Sequence, residues 1–74
     1  MNKEKLINSV SQATGLSVTN LTLAFDSAET IITQTLVEST DVDLNGFGMF
    51  SVETTEDGKK VKFKAGNTLT KAVC

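Results

Sequence analysis

Apolar side chains in the first 38 residues repeat at helical spacing. The first group consists of Leu6, Ile7, Val10 and Ala13. This spacing predicts a short amphipathic helix, which Asn2 can cap and Gly15 can end in a left-handed conformation. A second stripe follows Ser17, a good N-cap, and consists of Leu21, Ala24, Phe25, Ala28, Ile31, Ile32 and Leu36, with Leu23 and Val37 widening it. Residues 1–38 are therefore predicted to form a helical base of two helices.

In the second half of the chain, apolar residues recur at every second position instead of at helical spacing. Alternation from Asp41 to Asn45 predicts a strand. The run Gly46-Phe47-Gly48 interrupts that pattern, which favours a bend or bulge before the strand pattern resumes. Asn67 can cap a short last helix. We thus predict an α+β fold in one domain, residues 1–74, in which the helical base precedes a three-stranded antiparallel sheet over 41–65 and a C-terminal helix over 67–73.

The pair Asp57-Gly58 favours a two-residue type I′ hairpin turn. With these residues at the tip, Val52 faces Phe63 and Glu53 faces Lys62. One face of the hairpin then carries the apolar residues Phe50, Val52, Val61 and Phe63. The other face carries Ser51, Glu53, Lys60, Lys62 and Lys64. Because a one-residue slip would mix the two sets, the pattern supports the hairpin independently of the turn.

A chain of 74 residues has little core of its own, and its single cysteine, Cys74, leaves it without an internal disulfide. Three short strands and two helices cannot cover both the apolar sheet face and the long helical stripe. Association of two copies is the remaining source of stability. We predict an intertwined homodimer whose core contains Phe25, Ile32, Leu36, Leu44, Phe47, Phe50 and Phe63.

The sequence has no features typical of an enzyme, a cofactor-binding protein or a membrane protein. The chain has no histidine to act as a general base near neutral pH, and Cys74 has no neighbouring base. With no second cysteine, no metal site is expected. No apolar run is long enough for a signal peptide or a membrane helix, so we expect a cytoplasmic protein without a small-molecule substrate. A net charge of −2 with seven lysines and no arginine also disfavours tight nucleic-acid binding.

Four segments nevertheless resemble the HU and integration host factor proteins, the bacterial histone-like architectural DNA binders. They are Met1-Asn2-Lys3-x-x-Leu6-Ile7, Gly15-Leu16-Ser17, Gly46-Phe47-Gly48-x-Phe50 and Phe63-x-x-Gly66-x-x-Leu69-x-x-Ala72-Val73. The resemblance implies an interlocked dimer with a helical base and a sheet saddle. It also implies two long β-ribbon arms that embrace DNA in the minor groove and wedge a proline between base steps.

The chain departs from that family pattern where the arm should be. The arm segment is reduced to residues 55–59, and the chain contains neither proline nor arginine. The glycines Gly46, Gly48 and Gly58 are expected to be structural. The resemblance leaves five candidate nucleic-acid contacts, which are Lys60, Lys62 and Lys64 on the saddle face, Lys3, and Lys71 in the last helix. A solvated strand face with cross-strand ion pairs explains the saddle lysines equally well, and Asp26 can pair with Lys3.

Three functions remain open. The leading one is an HU-like nucleoid-associated protein that binds double-stranded DNA weakly, without sequence preference, and with little or no bending. The alternative is an armless antagonist, encoded by a phage or mobile element, that pairs with a host HU or integration host factor subunit or acts as an acidic decoy. The third is a structural dimer whose fold serves an unrelated partner.

Overall fold

A computed structural model describes all residues from 1 to 74. The elements are α1 (Lys3–Thr14), α2 (Val18–Val37), β1 (Val42–Leu44), β2 (Gly48–Thr55), β3 (Gly58–Ala65) and α3 (Asn67–Val73). The predicted α+β class and the order of its elements are confirmed. Contacts group the chain into two compact units, residues 1–31 and 32–74. The division into a single domain stays a prediction. No helix is long and apolar enough to cross a membrane.

The first unit contains α1 and the first part of α2, and side chains cap both helices. The Asn2 carboxamide oxygen accepts a hydrogen bond from the Lys5 amide at 2.9 Å. Gly15 ends α1 with φ of 78°, and its amide donates to the Ser11 carbonyl at 2.9 Å. The Ser17 hydroxyl accepts from the amide of Asn20 at 3.0 Å. These local bonds explain why the helix boundaries are readable from the sequence.

The stripe predicted along α2 is buried only in part, since Ala24 and Ala28 are exposed and Ile31 is 61% exposed. Its members Leu21 and Leu36 are buried, and Phe25 and Ile32 are half-buried. Leu23 does not widen the stripe, because a residue two positions after Leu21 lies about 200° further around a helix. Leu23 is accordingly 62% exposed, and Val37 is 71% exposed.

The three strands form one antiparallel sheet in the order β1-β2-β3. The predicted faces of the hairpin are confirmed, but the predicted register is wrong by two residues. Val52 pairs with Val61 rather than with Phe63, which pairs with Phe50. A shift of two residues preserves which side chains share a face, because strands alternate with a period of two.

The turn explains the difference in register. The two turn residues are Glu56 and Asp57, and Gly58 already pairs with Thr55. A type I′ turn needs positive φ at both central residues. In this hairpin only Gly58 has positive φ, at 120°. The hydroxyl of Thr55 donates to the carbonyl of Gly58 at 2.9 Å and closes the turn.

Gly46 and Phe47 lie with Asn45 in a tight turn between β1 and β2, and Gly48 begins β2, so the run does not form a bulge within one strand. The Phe47 amide donates to the Leu44 carbonyl at 2.8 Å, and Gly46 has φ of 82°. The Phe47 carbonyl accepts a hydrogen bond from the Gly66 amide at 2.8 Å, so this turn also fixes the start of α3. The predicted cap residue of α3, Asn67, is instead its first helical residue.

Aromatic rings cover part of the inner face of the sheet. The Phe63 ring lies 4.9 Å from the Phe50 ring and 5.9 Å from the Phe47 ring, measured between centroids. Phe47 is still 53% exposed, and Phe63 is 44% exposed. Leu44 is 41% exposed. The predicted dimer core therefore contains large apolar surface that one copy of the chain leaves in contact with water.

Candidate nucleic-acid interface

The outer face of the sheet gathers most of the lysines that the sequence singled out. We call it the lysine face, and it consists of Met49, Ser51, Glu53, Lys60, Lys62 and Lys64 from the hairpin and Asp43 from β1. These residues share a face because the strands alternate. The predicted grouping of Lys60, Lys62 and Lys64 with Ser51 and Glu53 is therefore present in the structure.

The three lysines of this face form a straight row along β3. They occupy alternate positions of one strand, so their Cα atoms are spaced by about 7 Å. All of them are exposed. Strand β3 is also an edge of the sheet, and lysines on an edge strand hinder pairing with another chain. The row is thus suited both to protecting the edge and to contacting several phosphates of one backbone.

Two carboxylates reduce the positive charge of the lysine face. Glu53 lies directly opposite Lys60, and its carboxylate forms an ion pair with Lys62 at 3.1 Å. Asp43 and Lys64 lie in one cross-strand row, on either side of Met49, and form no ion pair. Three ammonium groups and two carboxylates leave this face with a net charge of +1. The prediction that Glu53 faces Lys62 is wrong, because Glu53 faces Lys60, but the carboxylate still neutralises Lys62 as a diagonal neighbour.

Lys59 does not belong to the lysine face. It pairs with Thr54, so it lies on the same side of the hairpin as Val52 and Val61. Its ammonium group donates to the hydroxyl of Ser39, just beyond the end of α2, at 3.4 Å. Proximity along the hairpin therefore does not place all four of its lysines on one surface.

Lys3 is engaged by two carboxylates of α2. Its ammonium group lies 2.6 Å from Asp26 and 2.8 Å from Glu29. The hydrogen bond to Asp26, with a smaller contribution from the bond to Glu29, raises the pKa of Lys3 above its ordinary value of 10.5. The pair with Asp26 is confirmed. Glu29 is an additional partner that was not predicted, although its spacing of three residues from Asp26 places both on one helical face.

Lys71, the last candidate, lies in the final turn of α3 and is exposed. It forms no ion pair in the structure. A shallow polar depression of about 320 Å³ lies where the lysine face meets the start of α3, and Asp43, Asn45, Lys64 and Asn67 contribute to its lining. No group of three histidine, cysteine, aspartate or glutamate side chains is placed to hold a metal ion.

The three glycines predicted to be structural occupy positions where a side chain would clash or where the backbone has positive φ. A Cβ atom on Gly48 would lie 2.3 Å from the Phe63 ring, and one on Gly46 would lie 2.9 Å from the Thr68 hydroxyl. Gly46 and Gly58 also have positive φ. All three positions thus require glycine, for space, for conformation or for both.

Comparison with known proteins decides the family. The profile of a family described as bacterial DNA-binding proteins matches residues 1–58. The chain belongs to that family. The resemblance to HU proteins is therefore confirmed, and the bacterial DNA-binding protein family is one of DNA binders rather than enzymes.

Individual members of the bacterial DNA-binding protein family are similar over much of the chain. DNA-binding protein HU of Geobacillus stearothermophilus is 44% identical over 52 residues, a match that covers 70% of this chain and 58% of that protein. DNA-binding protein HU-alpha of Escherichia coli is 35% identical over 75 residues, covering 90% of this chain and 83% of the relative.

Solved structures extend the similarity to the whole fold. HU from Thermotoga maritima is 31% identical, with a TM-score of 0.86 and full coverage of both chains. A single-residue mutant of the same protein is 32% identical, with a TM-score of 0.92 and full coverage of both chains.

Proposed function

We propose that this protein is an HU-like, nucleoid-associated protein that binds double-stranded DNA weakly and without sequence preference through the lysine face. The observation that carries the proposal is the exposed row of Lys60, Lys62 and Lys64 on one side of β3. The family relationship supports DNA as the ligand. An exposed row of ammonium groups on a flat sheet face, with no element that enters a groove, is suited to contact with the phosphate backbone, which carries no sequence information directly.

Weak binding follows from the number of positive charges. Each protomer offers three lysines on this face, against two carboxylates. Lys3 is held by Asp26 and Glu29, which leaves it a poor phosphate ligand. If a dimer engages six face lysines, the logarithm of the binding constant falls with the logarithm of salt concentration with a slope no steeper than about −5. Binding is therefore expected at low salt and is lost as salt approaches physiological concentration.

Little or no DNA bending follows from the shape of the hairpin. Strands β2 and β3 each contain eight residues and are joined directly by Glu56 and Asp57. Proteins that kink DNA from the minor groove insert an apolar wedge between base steps. The tip of this hairpin is acidic, and the chain has no proline. It has neither the wedge nor the positive charge with which to enter a groove.

We further propose that the DNA-binding form is an intertwined homodimer. An apolar groove of about 250 Å³ lies between the hairpin and the end of α2, with Leu36, Val37, Val52 and Val61 in its lining. Phe47 and Leu44 add exposed apolar surface in the same unit of the chain. Burial of one large apolar side chain contributes about 1.5–3 kcal/mol, so covering several of them in a second copy is a sufficient driving force.

Fluorescence anisotropy with a labelled duplex at low salt tests the proposal. The variant pair K62Q/K64Q removes two charges from the lysine face, whereas K5Q/K59Q removes two charges from elsewhere. We expect the first variant to bind at least tenfold more weakly than wild type and the second to bind within about threefold of it, because only phosphate contacts release counterions locally. Equal weakening by both variants, or no binding by wild-type protein at tens of micromolar, would contradict the proposal.

Bending is measured separately, by energy transfer between dyes at the two ends of the duplex. Saturating protein is expected to leave the end-to-end distance unchanged. A shortening comparable to that caused by a full-length HU protein would show that the short hairpin still bends DNA.

The second candidate function is antagonism of a full-length HU or integration host factor subunit. Retention of the residues of the predicted dimer core beside a shortened hairpin and a net charge of −2 favours it. A mixed dimer would carry one long arm, and a homodimer would act as an acidic decoy. The test is co-expression with a tagged full-length subunit, followed by purification and DNA titration. Absence of a mixed species excludes the mixed dimer, and undiminished DNA binding by the full-length protein excludes the decoy.

A further inference from the structure

Glu53 is the one carboxylate that lies among the lysines of the hairpin's outer face. It projects from β2 opposite Lys60, and its carboxylate lies 3.1 Å from the ammonium group of Lys62. Two of the three lysines in the row are therefore within its reach. Lys64, at the other end of the row, forms no ion pair. The row thus contains one lysine that is paired with Glu53, Lys62, and two without an ion pair, of which Lys60 lies directly opposite Glu53.

The contact between Glu53 and Lys62 is open to solvent. The side chain of Glu53 is 46% exposed and that of Lys62 is 60% exposed. An ion pair of this kind contributes little to folding stability. The carboxylate nevertheless engages one of the three N–H donors of Lys62, and its negative charge repels any phosphate that approaches Lys60 or Lys62. A phosphate is therefore bound more weakly at Lys62 while Glu53 is paired with it.

We infer that Glu53 is an autoinhibitory contact that limits the affinity of the lysine face for DNA. It acts by holding Lys62 in an internal ion pair, so that each protomer releases one fewer counterion when DNA binds. This inference rests on the proposed DNA-binding function and adds to it the residue that sets the strength of binding. Glu53 is a positioning residue in this role, since it contacts Lys62 and not the DNA.

The test compares E53Q with E56Q, a matched control. Both substitutions remove one negative charge from the same hairpin and replace it with an amide of similar size. Glu56 lies in the turn and forms no ion pair. We expect E53Q to bind duplex DNA more tightly than E56Q by about two- to fivefold for each protomer that contacts the DNA, the effect of one exposed ion pair. The salt slope of E53Q should be steeper by about 0.9 for each protomer, because one more phosphate is neutralised.

A third variant separates the ion pair from the general effect of charge. In a K62Q background, E53Q has no bond to Lys62 to release, so its advantage over E56Q should shrink to the smaller effect of removing a negative charge opposite Lys60. Thermal unfolding of each variant is the control that tests whether it is folded. If wild-type protein binds DNA but E53Q and E56Q have equal affinities and slopes, the inference is wrong and the proposed function stands. If neither wild type nor any variant binds DNA, the proposed function itself fails.

Discussion

Gly48 lies against the ring of Phe63, and its replacement by alanine tests how the inner face of the sheet is packed. The added Cβ would lie 2.3 Å from Cζ and 2.5 Å from Cε1 of Phe63, and 2.9 Å from the Lys64 carbonyl oxygen. An optimal contact between carbon atoms is about 3.5–4.0 Å, so the overlap exceeds 1 Å. Either the ring or the backbone of β3 must move.

The cost of that movement has two parts. Overpacking of a well-packed site costs about 1–3 kcal/mol. Displacement of the Phe63 ring also weakens its pairing with Phe50, whose centroid is 4.9 Å away, and an aromatic pair contributes about 0.5–1.5 kcal/mol. We therefore expect G48A to lower the free energy of unfolding by about 2–4 kcal/mol. This is a large share of the roughly 5–15 kcal/mol that stabilises a typical domain.

Urea unfolding followed by circular dichroism measures this loss, at one fixed protein concentration because the stability of the proposed dimer would depend on concentration. The control is G15A, where no atom lies within 4 Å of the new Cβ and only the φ of 78° opposes alanine. Its cost should be about 1–2 kcal/mol, the cost of left-handed backbone for a residue with a Cβ. Adding F63L to G48A should recover part of the loss, because leucine leaves room for the new methyl group. The reasoning fails if G48A unfolds within about 0.5 kcal/mol of wild type, or if F63L and G48A are simply additive.

Three further predictions concern the helices and the dimer. The carboxylate partners of Lys3 raise its pKa above 10.5, so wild type should be more stable than K3Q below pH 10.5. In thermal unfolding, this difference in stability should shrink as the pH rises through the raised pKa of Lys3. A difference that does not change with pH would argue against the ion pairs. N2A should cost about 1 kcal/mol in urea unfolding, the value of an N-cap, and no loss would contradict the cap. The side chains of Phe47 and Leu23 are similarly exposed, at 53% and 62%. In analytical ultracentrifugation, F47A should weaken the dimer, whereas L23A should not. Equal effects of the two substitutions would contradict the predicted dimer core.

Local patterns are sufficient to predict most of the fold. Asn2, Gly15 and Ser17 act through hydrogen bonds to residues three or four positions away, so their roles are visible in the sequence. The two faces of the hairpin follow from alternation alone. The register does not, because Gly58 supplies positive φ just after the two turn residues rather than within them. The dipeptide Asp57-Gly58 therefore indicates where the hairpin lies, but it does not predict which residues of the two strands pair.

The candidate site is predictable only in outline, because side-chain pairing depends on geometry that a sequence does not contain. The row of Lys60, Lys62 and Lys64 follows from the period of the strand. Glu53 forms its ion pair with the diagonal neighbour Lys62 and not with Lys60 directly opposite, which depends on the side-chain conformations on the sheet. The assignment of Lys59 to the opposite face could have been predicted from alternation, but its bond to Ser39 depends on how the chain turns after α2.

The central claim is that DNA contacts the lysine face, and nuclear magnetic resonance tests it most directly. Labelled protein is titrated with a short duplex at low salt, and the shift of every backbone amide is followed. The largest shifts are expected on β2 and β3, at Ser51, Glu53, Lys60, Lys62 and Lys64, with little change around Lys3. Saturable shifts centred on α1 or α2, or no shifts at millimolar DNA, would contradict the claim.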